Sequence, residues 1–366
     1  KTGTSPNRVI LGFMIATAFM SMWISNTAST VVMLPIAISV INLLIDNKKG
    51  YSKSEKNFSL SVMLGIAFSA NSGGIATVIG TPPNSVLIGL LENEYNIEIS
   101  FLNWMVVGLP FSITLLILIY LLLTRVLFKN ESVKFKSSSE LISNKLNELG
   151  KLSRKEIHVL IIFGITVFLW IFRTLINKLI PGFKLSDTII SVGCAISLFA
   201  IPSKFSKPQF ILNWNDTKNL AWGILILFGG GLALAKGMSE TGIVSLITDT
   251  ISDANLNILI TVSLLITMML FMTELMSNVA LVAVLAPVMA GIAIGLEIPV
   301  LHLLIPITMA SSCAFMLPMA TPPNAIVFAS GYVKVSEMVR AGILINILSI
   351  LLLILVYKFF IPSIFN

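Results

Sequence analysis

The chain of 366 residues carries 24 Lys and Arg against 17 Asp and Glu, a net charge of +7, and is 56% apolar (AVILMFWYC) but only 11% charged. Soluble domains carry about 25% charged and about 45–50% apolar residues, so this composition leaves too little polar surface to coat a water-soluble globule and sends most of the apolar surface to lipid. The surplus cations sit in loops between apolar runs, which sets aside nucleic-acid binding and soluble enzyme chemistry as readings of the positive charge.

An all-α membrane protein is therefore expected, and its elements follow in chain order. No charged residue occurs in the 37 positions from Val9 to Ile45. As one helix that run would measure about 55 Å, too long for one crossing of a ~30 Å hydrocarbon layer and too short for two. A helical hairpin over 6–45 fits the length: it enters, turns at the polar tip Ser25-Asn26-Thr27 and leaves on the same side. The next run, 58–91, is interrupted at Thr81-Pro82-Pro83-Asn84 and reads as a broken helix, followed by a straight span over 104–128 and a basic cytoplasmic connector over 129–156. Spans are expected over 157–180, 187–202 and 219–240. A second re-entrant hairpin follows over 256–298, with its tip at Ser277-Asn278-Val279. A second broken helix over 300–332 carries Thr321-Pro322-Pro323-Asn324, and a last helix covers 339–362. Non-helical backbone at membrane depth is tolerated only where protein or a water-filled cavity covers it, so each polar tip implies a cavity.

The paired order of tip and break is an internal repeat: the asparagines lie 58 residues apart in the first pair (26 to 84) and 46 in the second (278 to 324). It divides the chain into a first repeat over 1–128 and a second over 157–366. The five spans between the hairpins place their bases on opposite sides, which makes the repeats inverted, as in transporters. With the first hairpin opening to the cytoplasm, 19 of the 24 cations fall inside; Arg173, Lys178, Lys184, Lys236 and Lys358 do not. From Ile157, 120 residues precede the second tip, while only 25 precede the first, so the chain is expected to be truncated at its N-terminus. Cys194, Cys313, His158 and His302 show no metal or disulfide spacing and read as packing or interface residues. Gly229, Gly230 and Gly231 read as close helix packing, since no Lys-Ser/Thr follows.

Pro-Pro inside a membrane helix removes two amide donors and is expected to leave carbonyls unpaired near Gly80, Thr81, Ala320 and Thr321. Oxygen-only ligation suits a hard cation such as sodium, and the positive N-terminal end of the following half-helix attracts an anion. Asn26 and Asn278 each offer an amide that can present oxygen to a cation and NH2 to a carboxylate. No Lys or Arg lies in either tip or break, so sodium and helix dipoles would have to offset an anion's charge, and the two would bind together. Glu274, three residues before the second tip, reads either as a hairpin stabiliser or as a proton-coupling group; its counterpart in the first repeat is Met22. Ser69, Ser72, Ser311 and Ser312 are expected to line the cavity.

With these tips and breaks the sequence resembles the divalent anion/sodium symporter family of dicarboxylate, citrate and sulfate carriers, over nearly the whole chain. The resemblance implies a homodimer in the cytoplasmic membrane, with a scaffold domain and a transport domain that moves like an elevator. It implies one sodium site from Ser21, Ser25, Asn26 and the Gly80 carbonyl, and another from Thr273, the Met276 carbonyl, Asn278 and the Ala320 carbonyl. Substrate carboxylates would meet Asn26, Thr27, Thr81, Ser277, Asn278 and Thr321. Val279 departs from the family pattern, which has Thr there, and removes a hydroxyl from the second half-site. The expected function is sodium-coupled import of a C4-dicarboxylate such as succinate. A sodium-independent exchanger, a sulfate or citrate carrier and a cation/proton antiporter working through Glu274 stay open, as does an intramembrane enzyme pairing Ser277 with His302.

Overall fold

The computed structural model describes residues 5–44, 52–129, 151–180, 185–204, 209–219, 222–244, 246 and 257–365. Most of the expected basic connector, residues 130–150, lies outside the described residues, as do Ile45 and residue 256 at the hairpin bases.

The described chain is almost wholly helical. Its helices are α1 (Pro6–Ser21), α2 (Asn26–Leu44), α3 (Lys53–Ile75), α4 (Pro82–Tyr95) and α5 (Phe101–Leu121), then α6 (Arg154–Leu179), α7 (Asp187–Ala200) and α8 (Trp222–Glu240). After these come α9 (Ile258–Thr273), α10 (Asn278–Gly295), α11 (Val300–Ser311), α12 (Pro322–Ala329), α13 (Val335–Leu355) and the short α14 (Ile361–Ile364). Two π-helical segments, Leu122–Leu127 and Val356–Phe360, extend α5 and α13. Beside the helices there is one short ladder: Pro202–Lys204 pairs antiparallel with Gln209–Phe210, where Pro202 ends α7's hydrogen-bonding pattern. Among the described residues five helices are long and apolar enough to cross a membrane: α3, α5 with its extension, α6, α10 and α13 with its extension.

The chain forms two compact units. The larger comprises Lys1–Glu98, Trp104–Ser138 and Ile224–Asn366, and α3 is its central rod. Every residue of α3 from Phe58 to Ile75 is buried, including Ser59, Ser61, Ser69, Asn71 and Ser72. Such a polar set is compatible with a spanning helix only because α1, α2 and α12 enclose it and keep it from lipid. α1 lies so close along α3 that a Cβ on Gly73 would overlap the backbone of Ala18.

Helix ends fall where the sequence interrupts them. The α1–α2 pair turns through residues 22–25 and the α9–α10 pair through 274–277. α3 and α4 are separated by unwound residues 76–81, and α11 and α12 by 312–321, each half-helix restarting on a Pro-Pro at its first positions. Packing interleaves the two halves: α2 lies against α12, and α10 lies against α4 and α11.

The smaller unit comprises Ile99–Asn103 and Ser139–Gly223. In it α6 packs on α7 and buries one stripe, Ile162, Thr166, Trp170 and Arg173, at helical spacing. Arg173 Nε lies 3.4 Å from Asp187 Oδ1, and Asp187 Oδ2 accepts the Phe101 amide at 3.0 Å. The Trp170 indole donates to the Asp187 carbonyl and stacks on Phe101 with centroids 4.9 Å apart. The buried Arg173 is thus placed by a half-buried acidic partner, which its count among the cations of one membrane face does not reveal.

Candidate functional site

The first tip meets α3 through a cluster of oxygens. Ser21 Oγ, at the last residue of α1, lies 2.7 Å from both Asn26 Oδ1 and the Ala70 carbonyl. A hydroxyl has one hydrogen, so it cannot fully satisfy two acceptors. The same end of the Asn26 carboxamide lies 3.2 Å from the Ala70 carbonyl and 3.2 Å from the Gly80 carbonyl. Three oxygens facing one amide end leave two arrangements: the nitrogen turns toward them and donates, or the oxygen stays and a cation sits among them. Gly74 makes the approach possible, because a Cβ there would overlap Asn26 Oδ1.

The pattern recurs at the second tip. Thr273 Oγ1 lies 2.6 Å from Asn278 Oδ1 and 2.6 Å from the Ser311 carbonyl, again one hydrogen between two acceptors. Asn26 and Asn278 are half-buried, whereas Ser25, Thr27, Met276 and Ser277 are exposed at their turns. The hydroxyls of Ser25 and Ser277 accept the amides of Ala28 and Ala280 and so cap α2 and α10, which leaves each O–H free to donate outward. Of the expected sodium ligands, Ser21, Asn26 and the Gly80 carbonyl come together around one point and Thr273 and Asn278 around another. Ser25 Oγ is engaged as a cap, and no described contact joins the Met276 or Ala320 carbonyl to the second cluster.

The breaks are held differently from what Pro-Pro alone suggests. The Thr81 and Thr321 carbonyls are paired, accepting the amides of Asn84 and Ala325 as the half-helices restart. The freed acceptors lie upstream, and the asparagine of each tetrapeptide takes them. Asn84 Nδ2 donates to the Gly74 and Thr77 carbonyls (3.3 and 2.8 Å), and Asn324 Nδ2 to the Ala314 and Leu317 carbonyls (3.1 Å each). In both, the bonds run 10 and 7 residues back along the chain. Thr81 and Thr321 are buried beside these asparagines at the start of the half-helices.

Glu274 closes the second break. Its carboxylate, 3% exposed, accepts the amides of Phe315, Met316 and Leu317 and the Asn346 side-chain amide, at 2.7 to 3.2 Å. Four donors converging on one carboxylate assign it to holding unwound backbone. In the first half Thr77 has that place, donating its hydroxyl to the Met22 carbonyl and accepting the Gly80 amide.

Of the serines expected to line a cavity, Ser72 and Ser311 are engaged by backbone, and the Ser69 and Ser312 hydroxyls are buried without a hydrogen-bond partner among the described residues. Ser72 and Ser112 exchange hydroxyl-to-carbonyl bonds (3.1 and 2.8 Å), and Ser311 donates to the Thr308 carbonyl. His302 bonds the Phe365 carbonyl at 2.9 Å, at the far end of α11 from Ser311, and is not paired with Ser277. Among the described residues no group of His, Cys, Asp and Glu is arranged for a transition metal.

Comparison with known proteins places these features in a family. The family described as "Sodium:sulfate symporter transmembrane region" matches residues 1–365. A sodium-dependent dicarboxylate transporter, SdcS, of Staphylococcus saprophyticus is 39% identical over 367 residues, covering 99% of this chain and 71% of the relative. Its namesake in Staphylococcus aureus strain USA300 is 38% identical, covering 98% and 70%.

Proposed function

The chain belongs to the sodium:sulfate symporter family and is a multi-pass membrane transporter, not an enzyme, and from that premise we propose that it carries a C4-dicarboxylate such as succinate together with sodium across the cytoplasmic membrane. The observation that carries the reading is the pair of acceptor-rich clusters, Ser21–Asn26–Ala70–Gly80 and Thr273–Asn278–Ser311, each built on an asparagine at a helix-pair tip.

Coupling follows from the amides. Without sodium, the Asn26 NH2 turns toward the three surrounding oxygens and shares its two hydrogens among them. A sodium ion entering the cluster requires the amide oxygen, and turning it inward turns the NH2 outward, where it can donate to a carboxylate. Asn278 offers the same exchange. The dianion then lies between the tips, against Asn26, Thr27, Ser277 and Asn278 and the half-helix starts at Thr81 and Thr321. No Lys or Arg occurs in either tip or break, so the anion is weakly held until sodium supplies positive charge.

In this reading the α1–α2 and α9–α10 pairs are re-entrant hairpins of two inverted repeats. The recurrence of the tip bonds and of the 10- and 7-residue asparagine bridges supports it. Alternating access by an elevator motion of a transport domain, in a homodimer, is proposed from the family resemblance. The test is thermal unfolding of the purified protein with succinate, malate, citrate or sulfate, with and without sodium. Stabilisation by a dicarboxylate only in the presence of sodium is expected. Equal stabilisation without sodium would refute coupled binding, and stabilisation by sulfate alone would refute the substrate class.

A further inference from the structure

Asn71 is a fully buried asparagine of α3 that no tip or break motif contains. Its Nδ2 reaches across to the second half and donates to Thr321 Oγ1 at 3.0 Å, with the Ala314 carbonyl at 3.2 Å and Asn324 Oδ1 at 3.4 Å. Its own backbone neighbour, Ala70, supplies the carbonyl of the first oxygen cluster. Consecutive residues of one buried helix thus touch the first cluster and the second break.

The bond to Thr321 sets the polarity of a hydroxyl. A threonine oxygen has two lone pairs and one hydrogen. Thr321 Oγ1 accepts from Asn71 Nδ2 and, at 3.4 Å, from the Asn324 amide as the cap of α12. With both lone pairs engaged, the hydroxyl is left solely as a donor, which is what an anion requires. Thr81, at the matching place, makes no side-chain cap bond. Ser311, ten residues before Thr321 as Asn71 is ten before Thr81, turns its hydroxyl back to Thr308 and does not reach the first break. The two half-sites are therefore unequal: the second has lost a hydroxyl at Val279 but has one fixed as a donor at Thr321.

We propose that Asn71 is a positioning residue for the second half-site, holding the Thr321 hydroxyl as a donor to the substrate carboxylate and so setting dicarboxylate affinity. The inference rests on the reading of Thr321 as a substrate contact. Removing Asn71 leaves Thr321 Oγ1 the Asn324 amide and the Ala314 carbonyl the Asn324 Nδ2, and strands only the acceptor of its longest bond, Asn324 Oδ1 at 3.4 Å. A loss of affinity need not come with a loss of fold.

The test is succinate uptake by the full-length carrier in proteoliposomes at saturating sodium, for wild type, Asn71→Ala, Thr321→Val and the double variant. Asn71→Ala is expected to raise KM about tenfold, as for one lost bond to a charged group, while a separate sodium titration at saturating succinate gives an unchanged half-saturating concentration. The double variant is expected to match Thr321→Val alone. A raised KM in Thr321→Val with wild-type KM in Asn71→Ala overturns the inference and leaves the substrate site standing, as do additive effects in the double variant. Wild-type KM in Thr321→Val overturns the substrate reading itself, and this inference with it. Should Asn71→Ala fail to fold, Asn71→Leu keeps the side chain's size, removes every donor, and carries the same expectations.

Discussion

At the scale of single residues, the asparagines divide the labour. Asn26 and Asn278 were legible in the sequence because a polar tip inside an apolar run has few explanations. Asn84 and Asn324 stand in the sequence as the last residue of a tetrapeptide, but their work, taking the carbonyls freed by the break, depends on where the chain returns in space. The two bridges differ in what supports them. Ala314 and Leu317 keep other donors in Asn71 Nδ2 and the Ala320 amide, whereas no other described donor reaches the Gly74 or Thr77 carbonyl. Asn84→Ala is therefore expected to destabilise by about 1–3 kcal/mol per stranded acceptor, and Asn324→Ala by distinctly less, a difference readable as the order of their thermal unfolding temperatures. Glu274→Gln places an amide nitrogen against backbone donors. It should lower the unfolding temperature, at about 2–4 kcal/mol, and leave the pH dependence of transport as in wild type; a proton-coupling role requires the reverse.

At the scale of elements, composition and spacing located the helix ends at both tips and both breaks, since Pro-Pro and a polar triplet interrupt apolar periodicity whatever the tertiary context. The enclosure of α3 was not legible. Ser69 and Ser72 read as cavity lining, yet Ser72 exchanges bonds with Ser112 of α5, and Gly73 admits the backbone of α1. The backbone oxygens of Ala70 and Ser311 went unseen for a simpler reason: a carbonyl has no residue type to betray it. Close approach between α3 and the first tip rests on Gly74. Gly74→Ala should push the Asn26 amide out of the cluster and raise the half-saturating sodium concentration at least tenfold, about 1.4 kcal/mol. The far-ultraviolet circular dichroism should not change. Unaltered sodium dependence would mean that the cluster is not the ion's route.

At the scale of the whole molecule, low charge density announced the membrane, and the paired motifs are the ground for proposing two related halves. How those halves interlock, with α2 on α12 and α10 on α4, required coordinates, as did the separate unit in which Arg173 is held by Asp187. The interleaving lets the Ser21–Asn26 oxygen cluster and the second break share α3, which is the ground on which joint binding of cation and dianion is proposed. The direct measurement is the initial rate of labelled succinate uptake into proteoliposomes with an inward sodium gradient, compared with choline in place of sodium, for wild type, Asn26→Ala and Asn278→Ala. Uptake by wild type only with sodium, and loss in both variants, is the expected result. Uptake of equal rate in choline, or variants that transport as wild type does, would contradict sodium-coupled carriage at these two asparagines.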